Sequence, residues 1–278
     1  FYPFEKDMEK VCKHYSQMGI VGFKVDFFDR DDQIVEDFML RAAQTCAKYH
    51  LMINFHGSHK PTGIQRRYPN IVNQEGIFGL EQMRKRNFPE YDMVEFDVTI
   101  PYIRYVAGFA DYTPGAMLNF TRENFRPSKA EPGSQGTRCH QLAQYVVYDA
   151  PLNMLCDSPT KYEAEPECMR FLSSVPTVWN ESVALGGKVG EYVAIARRGG
   201  DTWYIGALTD WSGRDVTLDL GFLGEGNWVL SSWNDGANAA TDARDFACAE
   251  AKVPADRKLT VHMAPGGGYA AIIRRTGK

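Results

Sequence analysis

The chain reads as an α/β protein: part of a (β/α)8 TIM barrel followed by an antiparallel β-sandwich. Three observations lead there. Up to about residue 180, stretches with helical periodicity alternate with short, nearly continuous apolar runs. From about residue 187, alternating β-rich runs separated by Gly, Asn and Asp turns replace them. No glycine-rich phosphate loop follows any of the early apolar runs, which sets aside the nucleotide-binding version of a parallel sheet.

Each element follows from its own residues. Over residues 3–18, Phe4, Met8, Val11, Tyr15 and Met18 recur at helical spacing and make one apolar face. The run from Val21 to Phe28 is short and β-rich, a buried parallel strand. Asp31 and Asp32 suit the cap of the next helix, whose inward face is Ile34, Val35, Phe38, Met39, Ala42, Ala43 and Cys46. Leu51 to Phe55 is the next strand, followed by a long loop rich in Gly, Pro and His. A helix is expected from near Gly76 to about Arg86, a strand over Tyr91 to Val98, a helix over residues 135–149 and a strand over Leu152 to Cys156. Strand, helix, strand in this order implies parallel pairing through right-handed crossovers. About four such units fit before residue 180, whereas a closed barrel needs roughly 200 residues or more. The rest of the barrel is therefore expected outside this sequence. Residues 1–180 are assigned to the barrel portion and residues 187–278 to the sandwich. The sandwich strands are expected at Tyr192–Arg197, Thr202–Leu208, Asp215–Leu220, Asn227–Trp233 and Tyr269–Arg274.

Composition narrows the classes of function. The 278 residues carry 31 basic and 35 acidic side chains spread along the chain, a net charge of −4 with no concentrated basic face, so nucleic acid is not an expected partner. No apolar stretch approaches the length of a membrane span. No basic-then-apolar leader opens the chain, and Phe1 in place of Met suggests a processed product or a fragment. The six cysteines show neither a CxxC pair nor zinc-ligand spacing, and are expected as mostly buried, unpaired thiols.

In a βα barrel the chemistry lies where strands end and loops begin. Asp26 stands near the C-terminal end of the first strand, with Lys24 two residues earlier on the same face. Ionised beside an ammonium, such a carboxylate suits a nucleophile; the competing reading is a buried pair that only braces the strand. Asp29, Asp31 and Asp32 read as loop and cap residues. His56 and His59 fall on the loop after the second strand, as hydrogen-bonding partners of a polar ligand or as structural loop residues. Arg66 and Arg67 would line a sugar site or pair locally. Glu75 and Glu81 flank Gly76 and Gly79; two such carboxylates can share one divalent cation, or simply mark a helix start.

The segments Gly22-Phe-Lys-Val-Asp-Phe, Asn54-Phe-His-Gly, Lys60-Pro-Thr-Gly, Arg67-Tyr-Pro-Asn, Glu75-Gly-Ile-Phe-Gly-Leu-Glu81 and Asp111-Tyr-Thr-Pro-Gly115 occur in the order seen in glycoside hydrolase family 97, and the chain resembles that family from its first residues through the β-sandwich. The resemblance implies a three-part enzyme, an N-terminal β-sandwich, a (β/α)8 barrel and a C-terminal β-sandwich, of which this sequence is similar to the C-terminal portion of the barrel plus the last domain. It implies Asp26 as nucleophile and Glu81 as acid/base, with Lys24, His56 and Arg67 at the sugar. Glu75 and Glu81 are implied as Ca2+ ligands, a further ligand coming from the N-terminal region. Inverting α-glucosidases of the family lack the aspartate and carry a base glutamate directly after the histidine, where this chain has Gly57. Asp26 together with Gly57 is the retaining pattern. The expectation is a retaining exo-acting α-galactosidase acting on oligosaccharide or α-galactoside substrates, periplasmic or secreted. The alternatives are a retaining β-L-arabinopyranosidase, an α-glucosidase or a non-catalytic carbohydrate-binding fragment.

Overall fold

Short runs become strands where their side chains find a helix to pack on, and the first 74 residues do so three times. The computed structural model describes residues 1–85 and 91–276 and divides into two compact units. The first comprises Phe1–Gly79, Ile103–Tyr112 and Asp149–Asn153. It contains α1 (Tyr2–Gln17), β1 (Gly22–Val25), α2 (Gln33–Lys48), β2 (Met52–Phe55), α3 (Ile64–Arg67) and β3 (Ile71–Gln74). The three strands pair in parallel in the order β1-β2-β3. Their core joins Val25, Ile53, Phe55 and Ile71 to Val35, Phe38, Met39, Ala42, Ala43 and Cys46 of α2 and to Met8 and Cys12 of α1. Each large apolar side chain buried this way contributes about 1.5–3 kcal/mol. Asp32 caps α2 as expected, its carboxylate accepting from the Ile34 and Val35 N–H groups.

The second unit comprises Leu80–Tyr102, Thr113–Tyr148 and Met154–Lys278. A one-turn 3₁₀ helix covers Leu80–Arg84, and α4 (Met93–Ile103) lies in this unit up to Tyr102. A two-residue parallel pair, β4 (Asn119–Phe120) and β5 (Ser134–Gln135), precedes α5 (Arg138–Val147), α6 (Pro159–Glu163) and α7 (Pro166–Leu172). Eight strands follow: β6 (Glu181–Lys188), β7 (Tyr192–Gly199), β8 (Thr202–Thr209), β9 (Arg214–Asp219), β10 (Asn227–Asp235), β11 (Phe246–Lys252), β12 (Lys258–Met263) and β13 (Gly268–Thr276). Six of them form an antiparallel sheet in the order β11-β10-β13-β8-β7-β6, and β9 pairs with β12 in a second sheet. Leu218, Val261 and Met263 from the small sheet share one core with Trp203, Ile205, Leu230 and Ile273 from the large one. Two sheets packed over a common apolar layer are a β-sandwich. The expected fold class holds: parallel βα units followed by an antiparallel sandwich.

Several elements differ from the sequence reading. The first strand stops at Val25 because Phe27 and Asp29 take left-handed backbone angles (φ 65° and 51°), which end the extended run. Ile34 points outward, 53% exposed. Residues Tyr91 to Val98 are not a strand: Asp92 caps the start of α4 by accepting from the Glu95 N–H, and Met93, Val94, Asp97 and Val98 form one buried helical stripe. Leu152 to Cys156 forms no strand, and the Leu152 carbonyl accepts from the Asn73 side chain. The helix placed from near Gly76 to about Arg86 reduces to the 3₁₀ turn, and Arg86 lies outside the described residues. β3, β6, β11 and β12 were not expected. All six cysteines are free, Cys12, Cys46, Cys139 and Cys168 buried, Cys156 and Cys248 exposed. Among the described residues no helix is long and apolar enough to cross a membrane.

Candidate active site

The parallel register sets Lys24 opposite Asn54 and Val25 opposite Phe55, so both strands end at the same level and deliver Asp26 and His56 to one edge. His56 is the hub. Its Nδ1 lies 3.2 Å from Glu75 Oε2 and 3.4 Å from Asp26 Oδ2, and its Nε2 lies 3.1 Å from Asp111 Oδ2. Asp111 also accepts from Asn54 Nδ2 at 3.2 Å, and Glu75 accepts from the Gly57 N–H. Burial works against a charged imidazole. The Asp111 hydrogen bond and the negative charges of Glu75 and Asp111 outweigh it, so the His56 pKa is raised despite opposition from Lys24. The arrangement is an imidazole held among three carboxylates.

Asp26 is the most accessible of the three, its side chain 31% exposed against 12% for Glu75 and 1% for Asp111. Its Oδ1 accepts from the N–H of Phe27 at 2.7 Å. Gly57 completes this wall. Its φ of +61° is a conformation that L side chains rarely adopt, and a Cβ there would meet Asp26 Oδ1 and Phe27 N at 3.0 Å each. Asp26 and a side chain at position 57 thus contend for the same volume.

The other expected residues fall as follows. Lys24 is exposed and makes no ion pair with Asp26 among the described residues, so the buried Lys–Asp pair is replaced by the contact of Asp26 with His56. The physical reason is that β1 ends at Val25, so the two-residue alternation no longer governs where Asp26 points. Arg67, also exposed, stacks its guanidinium over Tyr68, 5.3 Å from the ring centroid. His59 interacts with Gln74 and Glu36. Glu81 belongs to the second unit, on the 3₁₀ turn, where it accepts from Gln82 and Arg84 and is 45% exposed. A cavity of about 230 Å³ adjoins it, lined also by Arg84, Thr113, Cys156 and Asp157. A wider groove of about 680 Å³ along α6 and α7 is mostly apolar and contains none of the motif carboxylates.

Carboxylate oxygens are suitable donors for a hard cation. Yet the described residues contain no group of three or more His, Cys, Asp or Glu side chains arranged to hold one. Glu75 is engaged with His56 and the Gly57 N–H. These residues do not make a calcium site by themselves.

Sequence reasoning missed Asp111 and Asn54 as members of the cluster. Both lie in the motif segments quoted above. The available signal was that Asn54 and Asp111 are polar residues at strand-end and loop positions inside those segments.

Comparison with known proteins gives a consistent picture. The family model for glycoside hydrolase 97 matches residues 2–77, and the model for the glycosyl-hydrolase 97 C-terminal, oligomerisation region matches residues 178–274. A retaining α-galactosidase of Bacteroides thetaiotaomicron is 53% identical over 274 residues, 99% of this chain and 41% of that protein. The structure of a glycoside hydrolase family 97 enzyme from Pseudoalteromonas sp. strain K8 in complex with panose superposes with a TM-score of 0.88 at 30% identity, over 99% of this chain and 45% of that one. A β-arabinopyranosidase structure gives 0.82 at 27% identity, over 96% and 41%. The chain spans about two fifths of the length of the curated relatives it matches.

Proposed function

This chain belongs to glycoside hydrolase family 97, and on that footing we propose that it carries the nucleophile-bearing part of a retaining exo-acting α-galactosidase. The observation that carries the reading is Gly57 lying against the Asp26 carboxylate, where a Cβ would already stand 3.0 Å from Asp26 Oδ1. An inverting enzyme needs a base set back from the sugar, its carboxyl groups roughly 6.5–9.5 Å apart to admit water. Gly57 supplies no such base. Asp26, partly exposed and hydrogen-bonded through one oxygen, is a direct nucleophile.

In this reading an oxygen of Asp26 attacks the anomeric carbon while the C–O bond to the leaving group breaks and Glu81 gives that oxygen its proton. Glu81, then ionised, takes a proton from water as the water displaces Asp26 from the glycosyl ester. His56 braces Asp26 and Glu75, its Nδ1 lying within 3.4 Å of a carboxylate oxygen of each. Lys24 and Arg67, both exposed, are assigned to sugar hydroxyls. Calcium dependence is part of the proposal on donor chemistry alone: Glu75 and Glu81 supply two hard ligands, and others must complete the set. Residence in the periplasm or outside the cell is likewise proposed.

A β-L-arabinopyranosidase is the second reading, favoured by the likeness to a solved β-arabinopyranosidase structure. That sugar shares the ring configuration of galactose and lacks its hydroxymethyl group. Relative kcat/KM on the two p-nitrophenyl glycosides decides between them. The mechanism is tested by proton NMR of early hydrolysis of p-nitrophenyl α-galactoside. The α-anomer is expected first, and Asp26→Ala is expected to lose turnover by at least about 1,000-fold and to regain it with azide, giving the β-galactosyl azide. Early β-anomer from the wild type, or an Asp26→Ala enzyme that turns over normally, would overturn it.

A further inference from the structure

Arg104 is buried, 8% exposed, yet among the described residues it forms no salt bridge with a carboxylate. Its guanidinium donates to five backbone carbonyls instead. Nε donates to Gly76 at 2.8 Å and Nη1 to Gly108 at 3.0 Å. Nη2 is shared among Gln74 at 3.1 Å, Glu75 at 3.0 Å and Phe109 at 3.0 Å. Placing a cation in the interior without a counter-ion is costly, and here burial pulls the Arg104 pKa down. Carbonyl dipoles supply the compensation, and a rigid planar fork is the side-chain shape that reaches two loops at once.

The two loops are the ones that matter to the cluster. Gln74, Glu75 and Gly76 form the end of β3 and the turn after it. That turn is tightly seated, since a Cβ on Gly76 would approach the Lys60 N and the His59 carbonyl carbon to about 2.5 Å. Gly108 and Phe109 lead directly to Asp111. Glu75 and Asp111 in turn hold opposite nitrogens of His56, and His56 faces Asp26. We infer that Arg104 is a positioning residue that ties the Glu75 turn to the Asp111 loop and so sets the separation of the two carboxylates that aim His56 at the nucleophile. The inference rests on the retaining reading above, with Asp26 as nucleophile. Arg104 touches no reacting atom itself.

The test uses Arg104→Lys and Arg104→Ala in the natural polypeptide that carries this chain. Competent sites are counted with a galactose-configured cyclophellitol aziridine, which alkylates the nucleophile, and kcat is expressed per labelled site. The lysine ammonium keeps a charge but cannot span both loops. A misplacement of about 1 Å can cost on the order of 100-fold. For Arg104→Lys, kcat per labelled site is expected to fall by roughly 10- to 100-fold, with KM little changed. In Arg104→Ala, guanidinium ion at sub-denaturing concentration is expected to restore part of kcat, where urea and sodium ion do not. Two outcomes overturn the inference: variants that label less but turn over normally per labelled site, or variants that do not label at all while the wild type does. Either makes Arg104 a stability residue only. A wild type that neither labels nor hydrolyses the galactoside instead refutes the retaining reading, and is told apart by that control.

Discussion

Replacing Gly57 by alanine is the smallest perturbation that probes how the nucleophile is placed. Two effects can be worked from the structure. The first is backbone strain: at φ +61° an L residue is disfavoured by about 1–2 kcal/mol relative to glycine. Such a loss lowers the midpoint of thermal unfolding by roughly 2–8 °C in a protein of this size. The second is contact. The added Cβ would stand 3.0 Å from Asp26 Oδ1, 3.0 Å from Phe27 N and 3.3 Å from Phe27 Cα. Phe27 is main chain and holds Asp26 Oδ1 by a 2.7 Å hydrogen bond, so the carboxylate and its anchor must shift together. A displacement of about 1 Å costs on the order of 100-fold in rate; a few tenths of an ångström is expected to cost about tenfold. The assay is kcat on p-nitrophenyl α-galactoside well below the unfolding midpoint, beside a thermal scan of the same preparation. Strain alone would lower the midpoint and leave kcat intact. A Gly57→Ala enzyme with wild-type kcat would refute the idea that position 57 must be bare for Asp26 to act.

Two further predictions concern metal and pH. Exhaustive chelation is expected to lower activity by roughly tenfold or more, and Glu75→Gln to raise the calcium concentration needed for half-activation while leaving the circular dichroism spectrum unchanged; full activity after chelation removes calcium from the proposal. In the second unit Asp235 is raised from 3.8 to about 6 by burial, against the hydrogen bonds it accepts from Thr137 Oγ1 and the Ala264 and Gly268 N–H groups. Between those two values the folded chain keeps a proton that the unfolded chain has released, so stability falls as pH rises through this window, by about 3 kcal/mol in all. Urea unfolding of wild type and Asp235→Asn at pH values on either side of the window reads this as a change in their stability difference, and a pH-independent difference contradicts it.

Much of the architecture was legible because one residue's neighbours along the chain decide it. Nearly continuous apolar runs around Gly22–Val25 and Met52–Phe55, the Asp32 cap and the alternating runs of the sandwich are local patterns, and each produced an element of the expected kind. The family motifs, local too, pointed to Asp26, His56 and Glu75. Where local signals compete, tertiary packing made the choice. Tyr91–Val98 has the β-branched and aromatic content of a strand, but a helix sets Asp97 beside Met93, Val94 and Val98 on one buried stripe, where it meets His140 and Gln144. β3 carries the polar pair Asn73 and Gln74, both buried, a pattern that single-sequence hydrophobicity cannot distinguish from loop. β6 is mostly exposed and interrupted by Gly186 and Gly187, so its strand character comes from pairing with β7.

The site divides in the same way. Residue types and spacing offered Asp26, His56 and Glu75 only as candidates at strand ends and loops, and the family motifs gave them their implied roles. The partnership of Asp26 with His56 in place of Lys24, the second carboxylate of Asp111 on the far side of the ring, and the closeness of Gly57 to Asp26 are through-space facts. They join residues 30 to 55 positions apart. No periodicity reports such a contact, because it exists only once β1, β2 and β3 are in register and Arg104 has drawn the Glu75 and Asp111 loops onto one imidazole.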